Sequence, residues 1–170
     1  MANIHPTAVI DPRAEIASDV TIGPFCVVEG DVAIHSGCRL ASHVMVKSGT
    51  VLGENNMVYE GSVLGGRPQH LRAGERVGRL MIGNGNTVRE NVTMHVAVHE
   101  NTYTVVGHNN FLMVNVHIAH DCQVGDNVIF DPAADKGFQP VTILIPDLIE
   151  RVVHARQLNL CEFPKALYRV

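Results

Sequence analysis

An aliphatic residue recurs at every sixth position from Ile4 to Leu64 without a miss: Ile4, Ile10, Ile16, Ile22, Val28, Ile34, Leu40, Val46, Leu52, Val58 and Leu64. That period fits neither a helix, which repeats every ~3.6 residues, nor a half-buried strand, which repeats every ~2. It is the hexapeptide repeat of a parallel β-helix, in which three hexads close one triangular coil. The residue two places before each aliphatic is usually small: Ala8, Ala14, Val20, Cys26, Val32, Cys38, Val44, Thr50, Asn56 and Ser62. Large aliphatics fill such a prism and small side chains turn its corners. The predicted class is an all-β solenoid.

The phase also marks where the prism is interrupted. Carried forward it gives His70 and Arg76, which cannot fill an apolar core unpaired. It recovers at Ile82, Val88 and Met94, fails at Glu100, and recovers again at Val106, Leu112, Ile118, Val124 and Phe130. Two extruded loops are therefore expected, at about 65–81 and 95–105, with Gly65-Gly66, Pro68, Gly74 and Gly78 marking the first as irregular chain. Structureless loops of such length in a compact fold are usually functional or disordered. Both are read as functional.

The repeat ends at Phe130, because three of the next four positions on its phase, Lys136, Thr142 and His154, are polar. Residues 1–130 thus form the repeat domain and 131–170 a divergent segment. In that segment VTILI reads as a short strand, and Pro146 opens a helix with Asp147 as N-cap. Leu148, Ile149, Val152, Val153 and Ala155 give the helix a rough apolar stripe. Such a stripe would cap the exposed end of the array.

Composition removes several function classes. A net charge of −4 and the lack of any basic run argue against a nucleic-acid partner. The longest apolar run, near 141–149, is too short to span a bilayer, and the first residues carry no secretory signal, so a cytoplasmic location is expected. Cys26, Cys38 and Cys122 occupy small corner positions without C-x-x-C spacing and are expected to be reduced and buried.

Ten histidines are present, most of them on outward positions of the coils. His117 and His120 differ, since they flank Ile118 and project from one corner. If the second loop removes one hexad from the prism, Met94 stacks beneath Ile118. His95 then lies about one strand spacing, ~4.8 Å, below that corner. Three imidazoles would converge beside a loop, with Asp121 adjacent to His120. An imidazole oriented by a carboxylate is a general base, whereas three imidazoles can also hold Zn²⁺ with an open position. Both chemistries, and an inert surface cluster, remain open on spacing alone.

At these residues the chain resembles the acyl-[acyl-carrier-protein]–UDP-N-acetylglucosamine O-acyltransferases, left-handed β-helix enzymes that begin lipid A synthesis. The matching words are IHPTAVI at 4–10, IGPFCVV at 22–28, PQHLRAGE at 68–75, IGNGNTVRENVTMH at 82–95 and VVGHNNFLMVNVHIAHDCQVGDNVI at 105–129. The resemblance implies a left-handed helix, a homotrimer with sites between subunits, and no metal or other cofactor. It implies His120 as the base that takes the proton of the sugar 3-hydroxyl, and Asp121 as the group that orients it. His117, His95, Gln69, His70 and Arg72 would contact the substrates, which are an acyl carrier protein thioester and UDP-N-acetylglucosamine.

The chain departs from the family in three places. His70 stands where the family usually has Asp, Arg72 where Lys is common, and Val96-Ala97-Val98 where Arg-Gly-Thr follows the histidine. The family's later coils carry a further histidine, the oxyanion donor and the acyl ruler, and none of these is found in 131–170. That segment is read as either a frameshift or truncation product or a divergent short form. The expected activity is acyl transfer to the sugar 3-hydroxyl. The rivals are a carbonic-anhydrase-like zinc β-helix on His95, His117 and His120, and a catalytically inactive remnant prism.

Overall fold

Each hexad folds as a two-residue strand followed by a tight turn, and three hexads carry the chain once around a left-handed parallel β-helix. A computed structural model of the chain describes residues 1–131, 141–144 and 153–155. Three sheets form the faces. The first runs upward from Asn3–Ile4 through Arg39–Leu40 and Thr87–Val88 to Ile129–Asp131, the second from Val9–Ile10 to His117–Ile118, and the third from Glu15–Ile16 to Gln123–Val124. Every neighbour pairing within these coils is parallel, with Ile4 against Ile22, Val58 against Val88 and Leu112 against Phe130.

The hexad aliphatic of each strand points inward, so the aliphatics of one sheet stack in a file along the axis. Ile22, Val28, Leu52, Leu64, Met94 and Ile118 are all at or below 1% exposure. At roughly 1.5–3 kcal/mol per fully buried aliphatic, these files are the main favourable term. Cys26, Cys38 and Cys122 lie at the corners, fully buried, as their positions in the hexad require. Burial pushes the Cys26 and Cys38 thiols up, and each Sγ–H donates to a carbonyl of the next coil, Ala41 and Gly53.

Two features hold the turns. From Ile22 onward, except where a loop leaves the prism, the residue three after the interior aliphatic takes a positive φ, as at Gly37, Asn55, Gly85, Asn91, Asn109, Asn115 and Asn127. Glycine and asparagine visit that region at least cost, so an N or G at this place is a second repeat signal. The other feature is a file of buried asparagines. Asn86 Nδ2 donates to Asn56 Oδ1 and to the Gly107 carbonyl, and Asn86 Oδ1 accepts from the Asn110 N–H, which lets a polar residue occupy an interior corner.

The irregular chain is shorter than the phase suggests. Val63–Gly66 and Arg79–Ile82 are strands, as are Thr93–His95 and Tyr103–Val106, which leaves loops at 67–78 and 96–102. Gly65-Gly66 is therefore a strand end and not the loop start expected from its composition. Gly65 has φ +83°, and the register shifts there so that Gly66 pairs with His95. After Phe130 the expected strand is present as Val141–Leu144, antiparallel to Ile129–Asp131. The expected helix lies outside the described residues at 146–152, and at Val153–Ala155 a strand replaces it, antiparallel to Val141–Leu144. Antiparallel pairing satisfies the backbone groups that the last strand of a solenoid leaves open, and this outweighs a weak apolar stripe. The reading of 131–170 as frameshift product or short form falls largely outside the described residues.

Replacing Asn86 by alanine leaves the Asn110 N–H and the Gly107 carbonyl unpaired inside the prism. The expected cost is about 1–3 kcal/mol for each orphaned group. Ser18→Ala on the surface should stay within about 0.5 kcal/mol. Urea unfolding midpoints check this, and equal midpoints for the two variants would refute the role given to the asparagine file.

Candidate functional site

Both loops leave the prism at the same corner, between the second and third sheets, on consecutive coils. The register shows why. Leu64 pairs with Met94 and Met94 with Ile118 on one side of the corner, while Ile82 pairs with Val106 on the other. The corner above the two loops is the turn 119–122, which carries His120 and Asp121. The site is therefore a column, with loop 67–78 lowest, loop 96–102 next and the His120 turn on top.

The second loop is stitched onto the first. Val96 N–H donates to the Gly66 carbonyl at 2.9 Å, and Gly78 N–H to the Ala97 carbonyl at 2.8 Å. Val96, Ala97 and Val98, where the resembling family has a polar run, are buried at 2%, 0% and 4% exposure. They form an apolar floor under the imidazoles. Gly66 is required at its position because a Cβ there would stand 2.7 Å from the ring of His95.

On this floor the expected residues converge. His95 and His117 rings meet edge to face at 4.7 Å, as the stacking of Met94 under Ile118 predicts. His117 Nδ1 lies 2.7 Å from the hydroxyl of Thr93, its register partner one coil down. His120 Nδ1 is 2.8 Å from Asp121 Oδ2, a donated N–H to carboxylate bond when the ring carries its proton on Nδ1. The same carboxylate accepts from the Val98 N–H at 3.2 and 3.4 Å. With Nδ1 turned to the carboxylate, His120 Nε2 points away from Asp121 on the far side of the ring.

His70 is drawn in from the first loop. Its ring meets that of His120 edge to face at 5.7 Å, and its Nδ1 accepts from the Arg72 N–H at 3.2 Å. Gln69 and Arg72 are exposed on the same loop, Gln69 next to His70 in the chain. Loop 67–78 is closed on itself by Arg67, whose guanidinium donates to the Gly74 and Glu75 carbonyls.

Sequence reasoning on spacing passed over Thr93, Gly66 and the contact of His70 with His120. Thr93 was within reach, because the arithmetic that stacks Met94 under Ile118 also places Thr93 under His117. The His70 contact was not, since a loop off the hexad phase carries no positional signal. His108 has a structural use instead: its Nδ1 accepts from the Asn84 N–H at 2.9 Å.

Burial is the first cause that lowers His95, to about 4, and the neighbouring His117 and His120 lower it further. Burial, then His120, also lowers His117. Both rings are neutral near pH 7, and His95 Nδ1 is buried without a partner. His95 and His117 thus stand as neutral imidazoles beside the hydrogen-bonded His120–Asp121 pair, an arrangement suited to proton transfer. Among the described residues no three His, Cys, Asp or Glu side chains are grouped to hold a metal ion.

Residues 13–48 and 103–132 match the family model described as bacterial transferase hexapeptide (six repeats). The chain is 61% identical over 135 residues to the acyl-[acyl-carrier-protein]–UDP-N-acetylglucosamine O-acyltransferase of Cupriavidus pinatubonensis, covering 79% of this chain and 51% of the relative. Identity to the enzyme of the same name from Cupriavidus necator is 56%, with the same coverage. Among solved structures, LpxA from Acinetobacter baumannii aligns with a TM-score of 0.72 at 46% identity, over 74% of this chain and 49% of that one. The chain spans about half the length of the curated relatives it matches.

The depressed value of His95 fixes a pH dependence. Between pH 6.5 and about 4 the unfolded chain binds a proton at His95 that the folded chain does not, so this contribution to stability is complete above pH 6.5 and is lost as pH falls. At about 1.4 kcal/mol per unit, the loss should be of the order of 2–3 kcal/mol. In His95→Gln the fall in unfolding free energy from pH 7 to 4.5 should be smaller by that amount. Equal pH dependence in the two proteins would remove His95 from the buried, neutral state assigned to it.

Proposed function

We propose, from the premise that this repeat domain belongs to the family of acyl-[acyl-carrier-protein]–UDP-N-acetylglucosamine O-acyltransferases, that the chain carries the acyl-transfer site of that reaction in the cytoplasm. The observation that carries the reading is the bond between His120 Nδ1 and Asp121 Oδ2 at a corner flanked by both loops. His120 Nε2 takes the proton of the sugar 3-hydroxyl as that oxygen attacks the thioester carbonyl of a (3-hydroxy)acyl group on acyl carrier protein. Collapse of the tetrahedral intermediate breaks the C–S bond, and His120 returns the proton to the departing thiolate. Asp121 holds the Nδ1–H and stabilises the imidazolium that forms.

The neighbours serve binding. Neutral His117 and His95 can hydrogen-bond substrate oxygens without raising positive charge beside the base. Arg72 and Gln69, exposed on the first loop, suit a phosphate and a sugar hydroxyl. His70 would take the place beside the sugar that an Asp commonly holds in the family, and its ring contact with His120 supports that role.

A homotrimer completes the proposal. The outward residues of the second sheet form an apolar file in register, Val9, Val27, Met45 and Val63, which leads directly to Thr93 and His117. Val9 is 64% exposed in the single chain. A second copy seated on that file would bury it and wall the imidazole column, since closed symmetric assembly is the usual way to cover such a surface.

The direct test supplies (3-hydroxy)acyl-acyl carrier protein and UDP-N-acetylglucosamine and looks for the 3-O-acyl nucleotide sugar. His120→Ala should lower kcat by about 10²–10⁴, the usual loss of a general base, while His5→Ala should leave it unchanged. Chelators should have no effect. Light scattering at micromolar concentration should give the trimer mass, and Met45→Asp should move it toward monomer. A stable native monomer, or no product from the trimer, would sink the corresponding half of the proposal.

A further inference from the structure

We infer that Thr104 is a positioning residue of the His120–Asp121 pair, its buried hydroxyl fixing the backbone of Asp121 so that the carboxylate faces His120 Nδ1. The inference deepens the acyl-transfer reading and draws on its assignment of the base. It starts from the turn amides. At Gly49, Asn55, Asn91, Asn109, Asn115 and Asn127 the N–H of the positive-φ residue donates to a backbone carbonyl of the coil below. Side chains of the first coil do this for Phe25 and Gly37, through Thr7 and Asp19.

Asp121 occupies the same place in its turn, with φ 60°. In the coil below it, the chain leaves the prism as loop 96–102, and the carbonyl that would meet this amide leaves with it. Thr104 Oγ1 accepts the Asp121 N–H instead, at 2.8 Å. Thr104 is fully buried and belongs to Tyr103–Val106, the strand that resumes the prism after the loop. One hydroxyl therefore restores the anchor that the extrusion removed.

The anchor matters because Asp121 has two further bonds to keep. Its carboxylate accepts from the Val98 N–H and from His120 Nδ1. A non-glycine residue stays in the left-handed region only while its surroundings hold it there. Without the Thr104 hydroxyl the Asp121 amide is orphaned, the turn relaxes, and the carboxylate leaves Nδ1. The ring then loses its preference for the Nδ1–H tautomer, the one that places the basic lone pair on Nε2.

The test measures the tautomer directly, in full-length protein with ¹⁵N-labelled histidine, by long-range ¹H–¹⁵N correlation, with His120 assigned from the His120→Ala spectrum. Wild type should show His120 mainly as the Nδ1–H form. Thr104→Val, isosteric but without an acceptor, should shift it several-fold toward Nε2–H, and Thr104→Ser should restore it. If the valine variant does not fold, Thr104→Cys, a weak acceptor of similar size, carries the same expectation. Where transfer is measured, kcat of Thr104→Val should fall by about 10–10²-fold with KM for the nucleotide sugar unchanged. A folded valine or cysteine variant with the wild-type tautomer overturns the inference. Absence of transfer in wild type overturns the catalytic reading alone, and the tautomer comparison still decides the role of Thr104.

Discussion

The in-register pairing of each coil on the one below is the constraint on which the rest of the structure depends. Parallel strands of two residues offer few hydrogen bonds each, so a single coil has no stability of its own. Stacked, they share continuous files of buried aliphatics, Leu40 over Ile22 and Ile118 over Met94. The same pairing forbids drift: a slip by one residue would turn every interior side chain outward. Only material that leaves the prism whole, as a loop, can be inserted without breaking the files.

That rule places the site. Insertions on consecutive coils at one corner put their ends in contact, as the Val96–Gly66 and Gly78–Ala97 bonds show. The next turn above has then lost its usual backbone support, and Asp121, Thr104 and Val98 rebuild it with side-chain bonds. The place where the repeat is least regular thus collects the polar groups. Buried apolar residues at 96–98 line the floor, and burial lowers His95 and His117. Each imidazole in the column has a different neighbour. Thr93 meets His117, Asp121 meets His120, His70 leans on His120 from the loop, and His95 is closed in against Gly66. Burial holds His95 and His117 below the usual imidazole range, and the Asp121 carboxyl faces His120 alone among them.

How much could be read without coordinates follows from the period of six. The phase of the aliphatics set the prism, its interruptions and the stacking of Met94 under Ile118, because a stacked coil converts sequence separation directly into height. The same arithmetic brought His95, His117 and His120 together, and Asp121 followed from its adjacency to His120. Loop boundaries were less legible. Gly65-Gly66 reads as irregular chain by composition, yet it is a bulged strand end that admits the His95 ring. The segment after Phe130 carried no phase, and a weak apolar stripe suggested helix where Val153–Ala155 pairs as strand.

The sequence by itself determined the architecture, the corner at which both loops emerge and the residues available there, since all three depend only on spacing along a periodic fold. Tertiary structure alone decided what those residues do to one another. That His70 reaches the ring of His120, that Val98 and Thr104 hold Asp121, and that His95 is buried deeply enough to stay neutral depend on the path of two loops off the repeat. Such a path is fixed by contacts between segments far apart in the chain, and no local pattern records it.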